Sequence, residues 1–365
     1  MNTNGLDSGS SGTVSNGYYK TGGGPGGRSG GANSRLMMGR SSGSRWAPER
    51  NASIWQPGGR DNAAQSQQTE GERQPAGLSA IAGSLHEIEE TSGYGTVKNE
   101  TFGLLEEISQ KKSVRQESLR SVSSDLSKRL EVTLPSTILS LINALAPVDE
   151  YLQRHCVNVG LLNGLIGTWL GMGKPEIDNL VLIGLLHDCG KALIPSRVLM
   201  APRKLTTIEF EVIKMHPVNS YELLSEFPEH LRRSARSHHE KICGLGYPDG
   251  LLDVDIPLEA RITAISDIYD SMVSRRAYKN PISPFSILAT LAGLKHTDLD
   301  AGLVEVFIAY MPLELYGKPV LMNDGTIGIV RSFDPEDPEH PMIEMDGRLI
   351  QSSDALHCVS MYIEN

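Results

Sequence analysis

Near the middle of the chain an imidazole and a carboxylate stand side by side, His187 and Asp188, where the apolar run 181–186 ends. Lys191 follows three residues past the carboxylate. Nitrogen and oxygen donors in this pairing suit zinc, manganese or iron, and a carboxylate can bridge two ions. One pair alone has a simpler explanation, because buried His–Asp hydrogen bonds are common. The other histidines weigh against it. Of ten in the chain, five (His155, His187, His216, His238 and His239) fall in one helical stretch, in polar contexts that recur at helix ends. Two doublets stand out, His187-Asp188 and His238-His239. With Asp188 and Asp267 there are seven candidate ligands on five segments, all nitrogen or oxygen. A lone core histidine is more often a satisfied hydrogen-bonder than a ligand. Two doublets in one helical domain favour metal, since helices projecting such groups inward build metal sites in bundle cores. Seven donors exceed one tetrahedral ion and suit two ions sharing a carboxylate.

The elements that must carry these residues are helical. Residues 134–145, 149–170 and 175–186 each show apolar residues at helical period, as do 258–273 and 285–294. Thr206-Thr207-Ile208-Glu209 reads as a capping box opening one helix that runs through Glu226. No strand pattern competes between 133 and 315, so this part is expected to be an all-α domain. After Tyr316 the texture changes. Two short apolar runs flank Asp324-Gly325 and predict a β-hairpin, with further strands over 341–345, 348–350 and 357–363. The fold class expected is mainly α, a helical bundle with a small β-rich extension at 316–365.

Upstream of the bundle, residues 76–132 read as a partly helical polar linker. Leu119, Val122, Leu126 and Leu130 give 116–131 an amphipathic stripe that should pack on the next domain. Residues 1–75 are different material. They hold 16 of the 37 glycines, carry a formal charge of +3 and show no apolar periodicity. Such a tail cannot bury enough apolar surface to offset ordering entropy, so disorder is expected. Trp46, Ile54 and Trp55 form at most a short sticky motif within it.

The chain has 365 residues, room for more than one domain. Its net charge of −10 argues against a duplex nucleic-acid surface, but not against a small anion held in a local basic pocket. Four cysteines without C-x-x-C spacing read as reduced thiols, and the N-terminus shows no signal pattern. No apolar stretch approaches the roughly 20 residues needed to span a bilayer. A cytoplasmic protein with no membrane contact is expected.

The motifs, taken together, resemble the HD-GYP domain, the bacterial branch of the HD phosphohydrolase superfamily. They stand as His187-Asp188-Cys189-Gly190-Lys191 followed by Ile194-Pro195, then His216 after Lys214-Met215. Next come His238-His239-Glu240 and Gly244-Leu245-Gly246-Tyr247-Pro248. Last is Asp267-Ile268-Tyr269-Asp270, running to Arg276, Tyr278 and Lys279. The likeness covers roughly 134–313. It implies hydrolysis of a cyclic dinucleotide, chiefly cyclic di-GMP, to pGpG or on to GMP. It implies two divalent ions, iron or manganese, with Asp188 bridging. His155, His187 and Asp267 would complete one site and His216, His238 and His239 the other. Lys191 would lie near the scissile phosphate, and Arg276 and Lys279 would contact the substrate phosphates. Gly246, Tyr247 and Pro248 would form the loop for which the family is named. A GGDEF-domain protein and a second copy of the chain are candidate partners.

The residue types fit that chemistry on their own terms. Two metal ions can lower the pKa of a bound water and neutralise phosphoryl charge. Lys191 can add positive charge where negative charge develops. Arg276 offers a fork for phosphate oxygens and Lys279 a flexible point charge.

Three positions depart from the family pattern. Cys243 stands where an aspartate usually shapes the loop, which a thiol does poorly. Tyr151 stands where some members place a glutamate for a third metal, and Glu150 is roughly 100° away around a helix. Two metals are therefore expected, not three. Cys189 lies inside the doublet motif, where an aliphatic residue is usual, and reads as a small buried apolar side chain. The Cys243 change motivates an alternative to catalysis: a cyclic-dinucleotide receptor or GGDEF-docking module. A general HD nucleotidase accounts for the metals but not for the loop.

Overall fold

The computed structural model describes residues 93–111, 116–143, 151–199, 201, 203–273, 282–353 and 355–361. The glycine-rich stretch 1–75 and the Trp46, Ile54 and Trp55 motif lie outside these residues, as do Glu150, Arg276, Tyr278 and Lys279.

Among the described residues two helices precede the bundle, α1 (Tyr94–Lys111) and α2 (Gln116–Val132). The stripe on α2 does what its spacing predicts. Leu119, Val122 and Leu126 are buried, and Leu130 packs against the main core. Three helices then build the site's floor: α3 (Pro135–Asn143), α4 (Tyr151–Trp169) and α5 (Lys174–Leu186). Tyr269 is buried over this floor, and its hydroxyl donates to Asn143 Oδ1 at 2.6 Å.

α4 and α5 meet backbone to backbone. A Cβ on Gly184 would lie 2.4 Å from the Gly160 Cα and 2.5 Å from its nitrogen, so no larger residue fits without moving a helix. α5 ends at His187. A 3₁₀ turn, Cys189–Leu193, and the short helix α6 (Ser196–Leu199) follow.

The predicted capping box is present. Thr206 Oγ1 accepts from the Glu209 amide at 3.3 Å, and the Glu209 carboxylate accepts from the Thr206 amide at 2.8 Å. The helix it opens does not run to Glu226, however. It breaks into α7 (Thr207–Ile213) and α8 (His216–Leu223). Pro217 explains the break: it has no N–H for the helical ladder and its ring clashes with the preceding turn, so it belongs in the first turn of a new helix. The consequence is chemical, because the break puts His216 at a helix start.

The remaining helices are α9 (Glu229–Ser237), α10 (Leu258–Val273), α11 (Pro284–Gly293) and α12 (Ala301–Glu314). Ser283 caps α11 and Asp300 caps α12 through side-chain oxygens.

Five antiparallel strands follow: β1 (Pro319–Met322), β2 (Ile327–Asp334), β3 (Asp337–Met345), β4 (Arg348–Gln351) and β5 (Cys358–Met361). Their order is β4-β3-β2-β1-β5. Gly325, at φ 86°, makes the predicted hairpin turn. Val320, Met322, Val330, Ile343 and Cys358 point into the same apolar core as Phe285, Leu288 and Phe307. The extension is thus built onto the bundle rather than hung beside it. Among the described residues, no helix is long and apolar enough to cross a membrane.

Candidate metal centre

The five histidine and aspartate segments converge where α4, α5, α8, α9 and α10 meet. Three of the histidines are held by one local device. His187 Nδ1 donates to the Gly184 carbonyl at 2.8 Å, His216 Nδ1 to Ile213 at 2.7 Å, and His238 Nδ1 to Ala235 at 2.8 Å. Each ring follows the last helical turn and caps a carbonyl three residues back, one of the carbonyls a helix end leaves unpaired. The device fixes the tautomer: Nδ1 carries the proton and Nε2 is left bare. His155 reaches the same state by another route, with Nδ1 donating to Asp270 Oδ2 at 2.7 Å.

Asp188 sits among these bare nitrogens. Its Oδ1 lies 3.2 Å from His216 Nε2 and 3.9 Å from His238 Nε2. Its Oδ2 lies 3.4 Å from His187 Nε2 and 3.5 Å from His155 Nε2, and pairs with the Lys191 ammonium. Asp267 spans the open side. Oδ1 is 3.2 Å from His155 Nε2 and Oδ2 is 3.9 Å from His239 Nδ1. Two donor groups result, Asp188-His216-His238-His239 and His155-His187-Asp188, with Asp188 common to both.

The electrostatics are those of a cation site. Burial alone would raise the Asp188 carboxyl; the Lys191 ammonium, then His187 and His155, outweigh it and hold the group well below the ordinary carboxylate range. Asp267 is likewise opposed by burial and held low, with its neighbour His155 the first cause. Burial lowers His216, lowers His238 strongly with help from the neighbouring imidazoles, and takes His239 down to about 3 with His216 adding to it. Anionic oxygens and neutral nitrogens therefore face one another in a buried space. His216 Nε2 and His238 Nε2 are only 3.2 Å apart. With both Nδ1 atoms committed to carbonyls, these are two lone pairs in opposition. His187 Nε2 and Asp188 Oδ1 are buried with no hydrogen-bond donor among the described residues. Buried polar atoms without partners cost several kcal/mol in an apolar medium. Divalent ions with nitrogen and oxygen preference satisfy all of them, so the donor set fits metal.

The loop after His239 closes one edge. Tyr247 stacks on the His239 ring, centroids 4.8 Å apart, and its amide donates to the His239 carbonyl at 3.2 Å. Burial pushes the Tyr247 phenol well above its usual range. Gly246 crosses against backbone: a Cβ there would lie 2.3 Å from the Lys241 nitrogen. Pro248 follows a cis bond. Glu240 holds the loop. Its Oε1 accepts from the Asp249 and Gly250 amides at 2.7 and 3.1 Å, and its Oε2 from Leu251 at 3.0 Å. Arg236 clamps Asp249 with two hydrogen bonds of 2.7 Å. Cys243, whose thiol was expected to leave the loop poorly shaped, is exposed, and its amide bonds to the Thr297 carbonyl at 3.1 Å. The shaping is done by a carboxylate three residues earlier.

Cys189 is buried, with its thiol pushed up to about 12 by burial, so it is a small packing group. Glu240 and Asp270 carried no assigned role within their motifs, and Asn158 and Tyr94 carried no signal at all. Asp270 bonds His155 directly, Asn158 reaches it through Asp270 and Tyr94 through Asn158, while Glu240 acts on the loop.

Residues 140–303 match the family model described as HD domain. That stretch is an HD domain, with the motif order of the HD-GYP branch. A cyclic di-GMP phosphodiesterase from Thermotoga maritima is 38% identical over 149 residues, covering 40% of this chain and 40% of that protein. A 3′3′-cGAMP-specific phosphodiesterase 2 from Vibrio cholerae is 31% identical over 185 residues, 50% of this chain and 35% of that protein. Bd1817, a HDG"Y"P protein from Bdellovibrio bacteriovorus, shares the fold with a TM-score of 0.51 at 16% identity, over 64% of this chain and 77% of that one. The chain spans less than half the length of these two curated relatives.

Proposed function

We propose that the chain is a metal-dependent phosphodiesterase that opens a cyclic dinucleotide, cyclic di-GMP first, to pGpG or onward to GMP. The observation that carries this reading is the sharing of Asp188 between two clusters of bare donor atoms, two of which are buried without a hydrogen-bond partner among the described residues. His155, His187 and Asp267 would hold one ion and His216, His238 and His239 the other, with Asp188 common and iron or manganese the expected metals. When bound, such ions supply Lewis acidity and a water of lowered pKa.

The chain's own groups do the rest. His216, His238 and His239 stay neutral through burial and present nitrogen lone pairs. Asp188 and Asp267 stay ionised. Lys191 brings an ammonium to the Asp188 edge, where it can meet a phosphoryl oxygen as charge builds. Tyr247 walls the His239 side. Arg276 and Lys279, which follow α10 in the sequence, would contact the substrate phosphates. Water attack at phosphorus breaks the bond to the 3′ oxygen, which leaves with a proton, and the phosphate stays on the 5′ side. Hydrolysis is assigned to 133–315, and 316–365 braces that domain through the shared core.

The reduced thiols and the lack of a spanning helix among the described residues support a cytoplasmic setting. Leu245, 82% exposed at the loop tip, is the surface a GGDEF-domain partner would meet. The receptor alternative drew on Cys243; with Glu240 holding the loop, that observation no longer favours it.

The test is product analysis with cyclic di-GMP and cyclic GMP-AMP in parallel, with metal content measured on the same sample. Turnover of either with about two ions per chain supports the reading. Full metal occupancy with neither substrate cleaved would overturn it.

A further inference from the structure

Three hydrogen bonds join α1 to the metal centre. Tyr94, 3% exposed, donates its hydroxyl to Asn158 Oδ1 at 2.5 Å. Asn158 Nδ2 donates to Asp270 Oδ1 at 2.7 Å, and Asp270 Oδ2 accepts from His155 Nδ1 at 2.7 Å. Asn158 and Asp270 are fully buried. Tyr94 lies well before residues 140–303, the stretch matched as an HD domain.

The direction of this chain is fixed at one point. A carboxylate only accepts. Asn158 must therefore offer Asp270 its amino group, which turns its oxygen to Tyr94, and the Tyr94 hydroxyl must donate. The same carboxylate requires a proton on His155 Nδ1. That leaves Nε2 bare toward Asp267 at 3.2 Å and Asp188 at 3.5 Å.

We infer that Tyr94 is a positioning residue for the His155 side of the metal centre, and that α1 is the element through which the chain upstream of the HD domain reaches that centre. This rests on reading the cluster as a metal site. Without the hydroxyl, the Asn158 amide loses the donor that holds its oxygen away from Asp270. A turned amide would set oxygen against carboxylate and loosen the grip on His155.

Outer partners of metal-bound histidines are typically worth about 10–100-fold in metal affinity. Tyr94 acts two bonds further out, so a loss of about 3–10-fold is expected. The experiment titrates Mn(II) into the full chain by equilibrium dialysis, as wild type, Tyr94→Phe, Asp270→Asn and the double variant. Each protein is also melted without added metal. Tyr94→Phe should weaken Mn(II) binding by about 3–10-fold with unchanged stoichiometry, and add nothing in the Asp270→Asn background, since residues acting through one network are non-additive. If Asp270→Asn does not fold, Asn158→Ser breaks the same chain. Wild-type affinity in Tyr94→Phe, with or without a lower melting temperature, overturns the inference, and so do additive losses. Wild-type protein that binds Mn(II) but hydrolyses no cyclic dinucleotide defeats the proposed function while the affinity comparison still decides this one. Wild-type protein that binds no Mn(II) defeats both.

Discussion

Replacing Glu240 by glutamine is the sharpest probe of the loop, because it changes charge and one hydrogen bond while keeping shape. The carboxylate is 4% exposed and serves three amides, two through Oε1 and one through Oε2. Glutamine can keep its oxygen where Asp249 and Gly250 donate. Its amino group then faces the Leu251 N–H, donor against donor. One hydrogen bond to a charged acceptor, worth about 1.5–3 kcal/mol, is lost, and two others become neutral and weaker. Asp249 and Gly250 are exposed, so water recovers part of the loss. A net local cost of about 2–3 kcal/mol follows. Amide exchange over 249–251 should therefore speed up about 30- to 150-fold, at about 1.4 kcal/mol per tenfold. Hydrogen exchange resolved by residue is the assay, with α4 core amides as the internal reference. Unchanged exchange over 249–251 would show that Glu240 does not hold the loop. An equal rise in α4 would show that the carboxylate stabilises the whole domain instead.

Cys243→Asp should change stability by less than about 0.5 kcal/mol and activity by less than twofold, because the side chain is exposed and the loop is already held; a large activation measured on cyclic di-GMP would restore the case for this position. Gly190→Ala should cost more than about 3 kcal/mol in denaturant unfolding, since its Cβ would lie 2.0 Å from the His216 carbonyl oxygen and 2.5 Å from the Ser220 nitrogen, both backbone. In acid, chelator-treated protein should weaken. His239 is lowered by burial to about 3, and His216 and His238 are lowered too, whereas an unfolded chain protonates each near 6.5. Their neutral packing is thus tolerated above about 6.5 and opposed as pH falls toward 3, by up to about 1.4 kcal/mol per pH unit for each ring. Asp188 and Asp267, held low when folded, add to the loss at the acid end of that window. Thermal melts at pH 7.5, 6 and 5 check the slope, and a melting temperature that rises on acidification would refute it.

His187-Asp188 and His238-His239 were legible because they come as doublets just past a helix end, where a ring has one well-placed carbonyl to cap, whereas His155 and Asp267 lie inside α4 and α10. The break before His216 was missed for the opposite reason. The apolar period runs on through Ile213 and Leu223, and the signal that ends it is a single proline. The partners behind the donors were not legible. Tyr94 and Asn158 are 64 residues apart, and Asn158 and Asp270 are 112 apart. Nothing in the local pattern of either says that a buried carboxylate will join them. Glu240 was hidden differently: next to a histidine doublet, it looked like an ordinary charged neighbour, and only the return of the chain at 249–251 gives it a task.

The bare contact of Gly160 with Gly184 makes the width of the donor cluster a matter of mechanics. His155 stands five residues before one glycine and His187 three after the other, and their rings are 5.2 Å apart. That gap is gauged by two peptide backbones in contact, the least compressible spacer a protein has. Ligand side chains can be exchanged without disturbing it. A single methyl at Gly184 would act as a shim and set both rings further apart, so the calibration of the pocket to an ionic radius resides in two residues that carry no donor atom.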